Sequence, residues 1–151
     1  MESAQARAHA LGWLARREYS THELTQKLLA KGASAAVAAE VVAGLAEQRL
    51  LSDARFIEAF VRARMQRGYG PLWIREALRQ RGIEATVIEA SIDPTDPVWF
   101  SQLQAVWRKK FGGRRPATLA ARASQSRFLR SRGFTADQIR RVLNSRESIE
   151  F

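Results

Sequence analysis

The sequence predicts an all-α protein built from three tandem three-helix repeats. Apolar residues recur at intervals of three and four along most of the chain, which is the spacing of one helical face. Three segments end in a cation followed by glycine, at Lys31-Gly32, Arg81-Gly82 and Arg132-Gly133. These glycines lie 50 and 51 residues apart. A period of that size in helical sequence is typical of stacked units that share a core with their neighbours.

The first repeat is expected to contain three short helices. Its first helix is predicted from Gln5 to Arg17. Ser20 or Thr21 can cap the second helix, and Ser20-Thr-His-Glu23 has the capping-box spacing. The buried face of the second helix is expected to carry Leu24, Leu28 and Leu29. This helix stops at Lys31-Gly32, because glycine readily adopts the left-handed conformation that ends many helices. Ser34 is then expected to cap the third helix.

The middle repeat follows the same pattern. Ser52 or Asp53 caps its first helix, and the sequence leaves both open. Gly68-Tyr-Gly-Pro71 ends that helix, with the proline suited to the first turn of the next one. The buried face of the next helix is expected to carry Leu72, Ile74, Ala77 and Leu78. It ends at Arg81-Gly82, and a short helix follows from Glu84 to about Ser91.

The third repeat is strongly basic. Asp93-Pro-Thr-Asp-Pro97 is the strongest helix breaker in the chain and the expected hinge before this repeat. The next helix is expected to bury Val98, Leu103, Val106, Trp107 and Phe111. Gly112-Gly113-Arg-Arg-Pro116 leads into a long basic helix, and Thr135 caps the last helix. The repeats are thus expected over residues 1–52, 53–95 and 96–145, followed by a frayed tail at 146–151.

Composition argues against several classes of site. The chain has no cysteine, which excludes disulfides, thiolate metal sites and a cysteine nucleophile. His9 and His22 are the only histidines available for acid–base chemistry, and no Asp/Glu cluster joins them, so we expect no catalytic residue, no metal site and no cofactor. An apolar run of bilayer-spanning length and a signal-peptide pattern are both absent. The expectation is a cytoplasmic binding protein with no membrane partner.

Positive charge is concentrated in one third of the chain. Residues 1–98 carry 13 basic and 12 acidic side chains, whereas residues 99–144 carry 11 basic side chains and one acid, Asp137. Like charges at helical spacing weaken an isolated helix by about 0.2–0.5 kcal/mol per pair, so a row of arginines without acids indicates a role outside the fold. Guanidinium groups present a planar fork to phosphate oxygens, which favours a polyanionic partner over the alternative of a merely solvated surface.

The candidate binding residues form two rows, one in the arginine-rich stretch 62–83 and one from Lys109 to Arg132. They are Arg62, Arg64, Arg67, Arg75, Arg79, Arg81, Lys109, Lys110, Arg114, Arg115, Arg122, Arg127, Arg130 and Arg132. Tyr69 and Trp73 lie among the arginines of the first row. We favour packing between repeats for these two rings over stacking on exposed bases.

Several motifs together resemble a known family. They are Leu24-x-x-x-Leu28-x-x-Lys31-Gly32 after Tyr19-Ser20, Arg62-x-Arg64-x-x-Arg67-Gly68 before Ile74-x-x-x-Leu78-x-x-x-Gly82-Ile83, and Phe128-Leu129-x-x-Arg132-Gly133-Phe134 before Ile139-x-x-Val142-Leu143. Their order and spacing over residues 7–144 resemble the RecX family of bacterial recombination regulators. The resemblance implies that the three repeats form an elongated, curved array.

The resemblance also implies a function. RecX proteins bind the RecA nucleoprotein filament on single-stranded DNA and modulate, mainly inhibit, its ATPase, strand-exchange and co-protease activities. The first row, represented by Arg62, Arg64, Arg67, Arg75 and Arg79, would then contact the filament. The row from Lys109 to Arg132 would contact single- or double-stranded DNA or an acidic surface of the filament. A monomer is expected, with exchange of a repeat between chains at the Asp93–Pro97 hinge as the alternative. A stand-alone DNA-binding protein without sequence specificity and a scaffold for another acidic protein are the other interpretations.

Overall fold

The computed structural model describes residues 1–144, which form nine α-helices and no strand. The helices are α1 (Ser3–Leu14), α2 (Thr21–Lys31), α3 (Ala35–Glu47), α4 (Asp53–Gln66), α5 (Pro71–Gln80), α6 (Ala85–Ser91), α7 (Pro97–Phe111), α8 (Leu119–Ser131) and α9 (Ala136–Asn144). The predicted all-α fold of tandem three-helix repeats is confirmed. The tail expected at 146–151 lies outside the described residues.

The helices pack as two compact units, and the division between them passes through the middle repeat. Unit 1 contains Met1–Phe60 and Leu78–Val87, and unit 2 contains Val61–Ala77 and the chain from Ile88 onward. Helices α4, α5 and α6 each contribute one part to each unit. Parts of the middle repeat therefore belong to each of the two compact units.

In unit 1, α1 and α2 both pack against α3. The core consists of Ala6, Ala10, Tyr19, Leu24, Leu28, Ala33, Ala38, Val41, Val42, Leu45 and Leu51. Ser20 Oγ accepts a hydrogen bond from the Glu23 N–H, and Glu23 Oε1 accepts one from the Ser20 N–H, so the predicted capping box is present. Gly32 ends α2 with a φ of 115°, as its position predicts.

In unit 2, α7 and α8 both pack against α9. The core consists of Phe100, Leu103, Trp107, Leu129, Phe134, Ile139, Val142 and Leu143. Asp96 caps α7, whose first residue is Pro97, and Thr118 caps α8. Asp93 accepts hydrogen bonds from the N–H and the hydroxyl of Thr95, which lower its pKa. The predicted hinge is thus internally hydrogen-bonded.

Three apolar side chains were assigned to the wrong face. Leu29, Leu72 and Val98 are 37%, 43% and 47% exposed. In α7 the buried face instead runs through Trp99, Phe100, Leu103 and Trp107. Because one residue turns a helix by about 100°, an error of one position at the Pro97 start moves a side chain from core to solvent. None of the helices within residues 1–144 is both long and apolar enough to cross a bilayer.

Candidate polyanion interface

Two turns of the chain are built on the same plan. In unit 1 the turn before α2, at Tyr19-Ser20, lies against Arg81-Gly82, and Ser20 Oγ donates to the Arg81 carbonyl at 3.2 Å. In unit 2 the turn before α5, at Tyr69-Gly70, lies against Arg132-Gly133, and the Gly70 N–H donates to the Arg132 carbonyl at 2.6 Å. The two turns are 50 residues apart and their glycine partners 51. We call these contacts the first junction and the second junction.

Both junctions require glycine, because an added Cβ would clash with the His22 side chain at the first junction and with the Trp73 backbone and side chain at the second. A Cβ on Gly82 would lie 2.3 Å from the ring of His22, and one on Gly133 would lie 2.4 Å from the Trp73 backbone nitrogen. Both glycines also have positive φ, which L-residues rarely adopt. The Arg-Gly helix ends, which sequence predicts as stop signals, are therefore also the contact points of the two junctions.

At the first junction a single carboxylate serves two arginines. Glu23, in the first turn of α2, accepts a hydrogen bond from Arg81 Nη1 at 2.9 Å and lies 3.4 Å from Arg17 Nη1. Burial opposes ionisation of Glu23, but the Ser20 N–H and the two guanidinium groups outweigh it and lower its pKa. Both arginines therefore have an internal counter-ion.

The second junction retains the two arginines and lacks the acid. Arg67 and Arg132 occupy the positions of Arg17 and Arg81, whereas Trp73 occupies the position of Glu23. The Trp73 ring stacks on Tyr69, with ring centroids 3.8 Å apart. Arg132 Nη1 donates to the Arg67 carbonyl at 3.2 Å, and its guanidinium lies 5.2 Å from the Tyr69 ring. These contacts hold Arg132 in place without cancelling its charge.

A groove of about 430 Å³ lies at the second junction within unit 2. It is lined by Met65, Gln66, Arg67, Gly68, Gln102, Ala105, Val106, Lys109, Lys110, Phe128 and Arg132. Four of these side chains are cationic, and none of the lining side chains in the described chain is acidic. The Lys110 ammonium lies 5.1 Å from the Phe128 ring, and so does the Arg132 guanidinium. The groove is thus cationic, and its lining includes the aromatic side chain of Phe128.

The structure brings together some of the predicted binding residues and separates others. Four of them line the groove, namely Arg67, Lys109, Lys110 and Arg132. The others in unit 2 lie outside its lining: Arg62, Arg64, Arg75, Arg114, Arg115, Arg122, Arg127 and Arg130. Arg79 and Arg81 belong to unit 1, where Arg81 pairs with Glu23. Arg75 lies 4.0 Å from Glu89.

Sequence analysis did not identify Gln125, a buried residue of α8 that bonds to the turn between α7 and α8. Gln125 is 7% exposed, accepts a hydrogen bond from Trp107 Nε1 at 2.9 Å and donates one to the Arg114 carbonyl at 3.2 Å. A polar residue in a basic helix is easily taken for a surface residue. Its position four residues before the buried Leu129 is the signal that places it on the inner face.

Residues 1–144 contain no group of three or more His, Cys, Asp or Glu side chains arranged to hold a metal ion. His9 stacks on Trp13 with ring centroids 6.0 Å apart, and His22 packs at Gly82. Both histidines therefore have packing contacts in unit 1. The described groove offers cationic side chains that can bind anions.

Known proteins match the chain along nearly its whole length. Models of the first, second and third three-helix domains of RecX match residues 6–45, 52–92 and 100–143. The regulatory protein RecX of Pseudomonas entomophila (strain L48) is 43% identical over 141 residues, which cover 93% of this chain and 91% of that protein. The regulatory protein RecX of Pseudomonas putida (strain GB-1) is 44% identical over 141 residues, covering 93% and 90%.

Solved structures match as well. The crystal structure of RecX from Lactobacillus salivarius superposes with a TM-score of 0.80 at 20% identity and covers 98% of this chain and 96% of that one. A second crystal structure, of a regulatory protein RecX, has a TM-score of 0.77 at 17% identity and covers 95% and 72%. At these identities the structural matches support the three-repeat helical fold.

Proposed function

This chain belongs to the RecX family of regulatory proteins, and from that premise we propose that it regulates the RecA recombinase by binding the filament that RecA forms on single-stranded DNA. Binding lowers the ATPase, strand-exchange and co-protease activities of the filament. The protein performs no chemistry on its partner. Its relatives are named regulatory proteins, which supports a role in binding.

The observation that carries the proposal is the charge of the third repeat. Residues 99–144 hold 11 basic side chains and one acid, Asp137, which pairs with Arg140. Such an excess of like charge in one segment costs stability through mutual repulsion, so its presence favours an external polyanion. The proposed interface consists of Arg62, Arg64, Arg67, Arg75, Arg79, Lys109, Lys110, Arg114, Arg115, Arg122, Arg127, Arg130 and Arg132. We leave out Arg81, since it donates a hydrogen bond to the mostly buried Glu23 at 2.9 Å, and keep Arg75, which lies 4.0 Å from the exposed Glu89.

The test is the DNA-dependent ATPase of RecA at ratios well below one protein per RecA subunit. The wild-type protein is expected to lower the rate. Replacement of two exposed arginines of α8, Arg127→Ala with Arg130→Ala, is expected to weaken this inhibition without changing the thermal midpoint. The matched control replaces two exposed cations of unit 1, Arg16→Ala with Lys31→Ala, and should inhibit like the wild type. An ATPase rate that the wild-type protein leaves unchanged would contradict the proposal.

A stand-alone DNA-binding protein is the second candidate function. The groove favours it, because a groove lined by four cations can bind DNA without RecA. Such a protein would lower the ATPase only by occupying the DNA on which RecA assembles. Inhibition would then appear only at amounts that saturate the DNA. Inhibition at much lower amounts supports the regulator.

A further inference from the structure

We infer that the groove at the second junction binds the backbone phosphates of a nucleic-acid strand, and that a phosphate takes the place there that Glu23 holds at the first junction. This inference deepens the proposed function and rests on it for the choice of nucleic acid as partner. It assigns one defined part of the interface to DNA instead of to protein.

The internal duplication of the junction supplies the first argument. At the first junction two guanidinium groups share one carboxylate, at 2.9 Å and 3.4 Å. At the second junction both arginines recur as Arg67 and Arg132, and Trp73 replaces the carboxylate. In both junctions the carbonyl of the arginine before the glycine accepts a hydrogen bond from the opposing turn, from the Ser20 hydroxyl in the first and from the Gly70 N–H in the second, so the second forms this contact without an acid. The second junction has tryptophan where the first has a carboxylate, so an external anion can bind beside its two arginines.

The amount of charge selects phosphate over a protein carboxylate. Lys109 and Lys110 add two ammonium groups to the two guanidinium groups, and no acid lines the groove in the part of the chain that the structure describes. A single Asp or Glu from a partner protein would leave three positive charges uncompensated. A nucleic-acid strand supplies one phosphate per nucleotide and so neutralises several cations along one open groove. Arginine also binds phosphate oxygens through two parallel hydrogen bonds.

The ring that lines the groove, Phe128, and the two rings of the second junction all have other partners, so base stacking is not the basis of recognition. Tyr69 stacks on Trp73 and also faces Arg132. Phe128 meets Phe111 edge to face at 5.6 Å, and it carries Lys110 and Arg132 against its ring. Contacts to phosphate position a strand without reading its sequence. Binding in this groove is therefore independent of base sequence.

The decisive comparison is Trp73→Glu against Trp73→Gln. Both variants lose the indole and its stack on Tyr69, but only Trp73→Glu restores the carboxylate of the first junction. The probe is a fluorescently labelled single-stranded oligonucleotide without RecA, with a duplex of the same sequence as a second arm, and affinity is measured by anisotropy over a series of salt concentrations. We expect Trp73→Glu to bind one or both probes roughly tenfold more weakly than Trp73→Gln, with a shallower salt dependence. If the two variants bind each probe with the same affinity, the inference is overturned.

A second pair of variants keeps the inference testable if substitution of Trp73 prevents folding. Lys109→Glu with Lys110→Glu reverses two exposed charges in the groove, and Arg16→Glu with Lys31→Glu reverses two exposed charges in unit 1. The net charge changes equally in both. The groove variant is expected to bind single-stranded DNA at least about tenfold more weakly than the control. Equal weakening by the two variants overturns the inference.

The RecA ATPase assay on the same variants separates this inference from the proposed function. If the wild-type protein lowers the ATPase and the groove variants bind DNA like their controls, the groove inference fails and the proposed function stands. If the groove variants lose DNA binding but the wild-type protein does not lower the ATPase, the proposed function fails alone. If Trp73→Glu loses affinity for DNA-free RecA but binds DNA like Trp73→Gln, the groove is a protein site and the inference is overturned.

Discussion

At the residue scale, Glu23 is the carboxylate that neutralises Arg17 and Arg81 within the fold. The sequence predicts its local role, because Ser20 and Glu23 have the spacing of a capping box. Its bond to Arg81 joins residues 58 positions apart, and no local pattern contains that information. The sequence alone does not show that Glu23 and Trp73 occupy equivalent positions. Only the structure places them at two similar junctions. Local chemistry was thus predictable, whereas the pairing of distant charges was not.

Replacement of Glu23 by glutamine tests this pairing through pH. The folded pKa of Glu23 lies below its ordinary value of 4.5, so its ionised form stabilises the fold above that pH, and the contribution is lost as pH falls through the lowered pKa. Glu23→Gln is expected to reduce the free energy of unfolding by about 1 kcal/mol at neutral pH, because both arginines are partly exposed. Urea denaturation of both proteins at about pH 7 and about pH 3 measures the difference, which should shrink in acid. A difference that grows in acid would contradict this assignment.

Substitution by alanine is expected to have opposite effects on stability at Gly70 and at Gly44. A Cβ on Gly70 would lie 2.8 Å from the Gly133 carbonyl and from Phe134, so Gly70→Ala is expected to destabilise the protein by roughly 1–3 kcal/mol. Gly44 lies within α3 with nothing within 4 Å of an added Cβ, so Gly44→Ala is expected to stabilise by about 0.5–1 kcal/mol. Thermal melting of both variants measures the two signs. A neutral Gly70→Ala would argue against the close backbone contact of the second junction.

At the element scale, helix ends were more predictable than helix faces. Ser34 and Thr135 cap their helices as predicted, and the structure selects Ser20 over Thr21 for α2 and Ser52 over Asp53 for α4. End signals are local, since a cap acts within one turn of backbone. A buried face depends on what packs against it. The exposure of Leu72 in α5, where a buried position was expected, therefore could not be deduced from spacing alone.

The link between α7 and α8 depends on Gln125. Gln125→Leu would leave the buried Trp107 N–H and the Arg114 carbonyl without their hydrogen bonds, at an expected cost of about 1–3 kcal/mol. The control is Gln26→Leu, which changes an exposed glutamine of α2 and should alter stability little. Denaturant unfolding of the two variants provides the comparison. Equal stability of the two would show that Gln125 makes no net contribution.

At the scale of the whole molecule, the repeat period was readable from the sequence and the grouping of charges was not. Glycines 50 and 51 residues apart predicted three units of helices. Periodicity does not specify how neighbouring repeats share their cores, so the division of the middle repeat between two compact units was not predicted. Likewise, the sequence named Arg67, Lys109, Lys110 and Arg132 as candidates, and only the fold places all four at one groove.

The salt dependence of binding to RecA filaments on single-stranded DNA tests the central claim most directly. If the cations of the proposed interface hold the filament through phosphate, the logarithm of the affinity falls linearly with the logarithm of salt concentration, by about 0.7 for each phosphate contact. The variant Lys109→Glu with Lys110→Glu should then have a slope shallower by roughly 1.4, since two contacts are removed. A flat dependence for the wild-type protein, or the same slope in wild type and variant, would contradict the account.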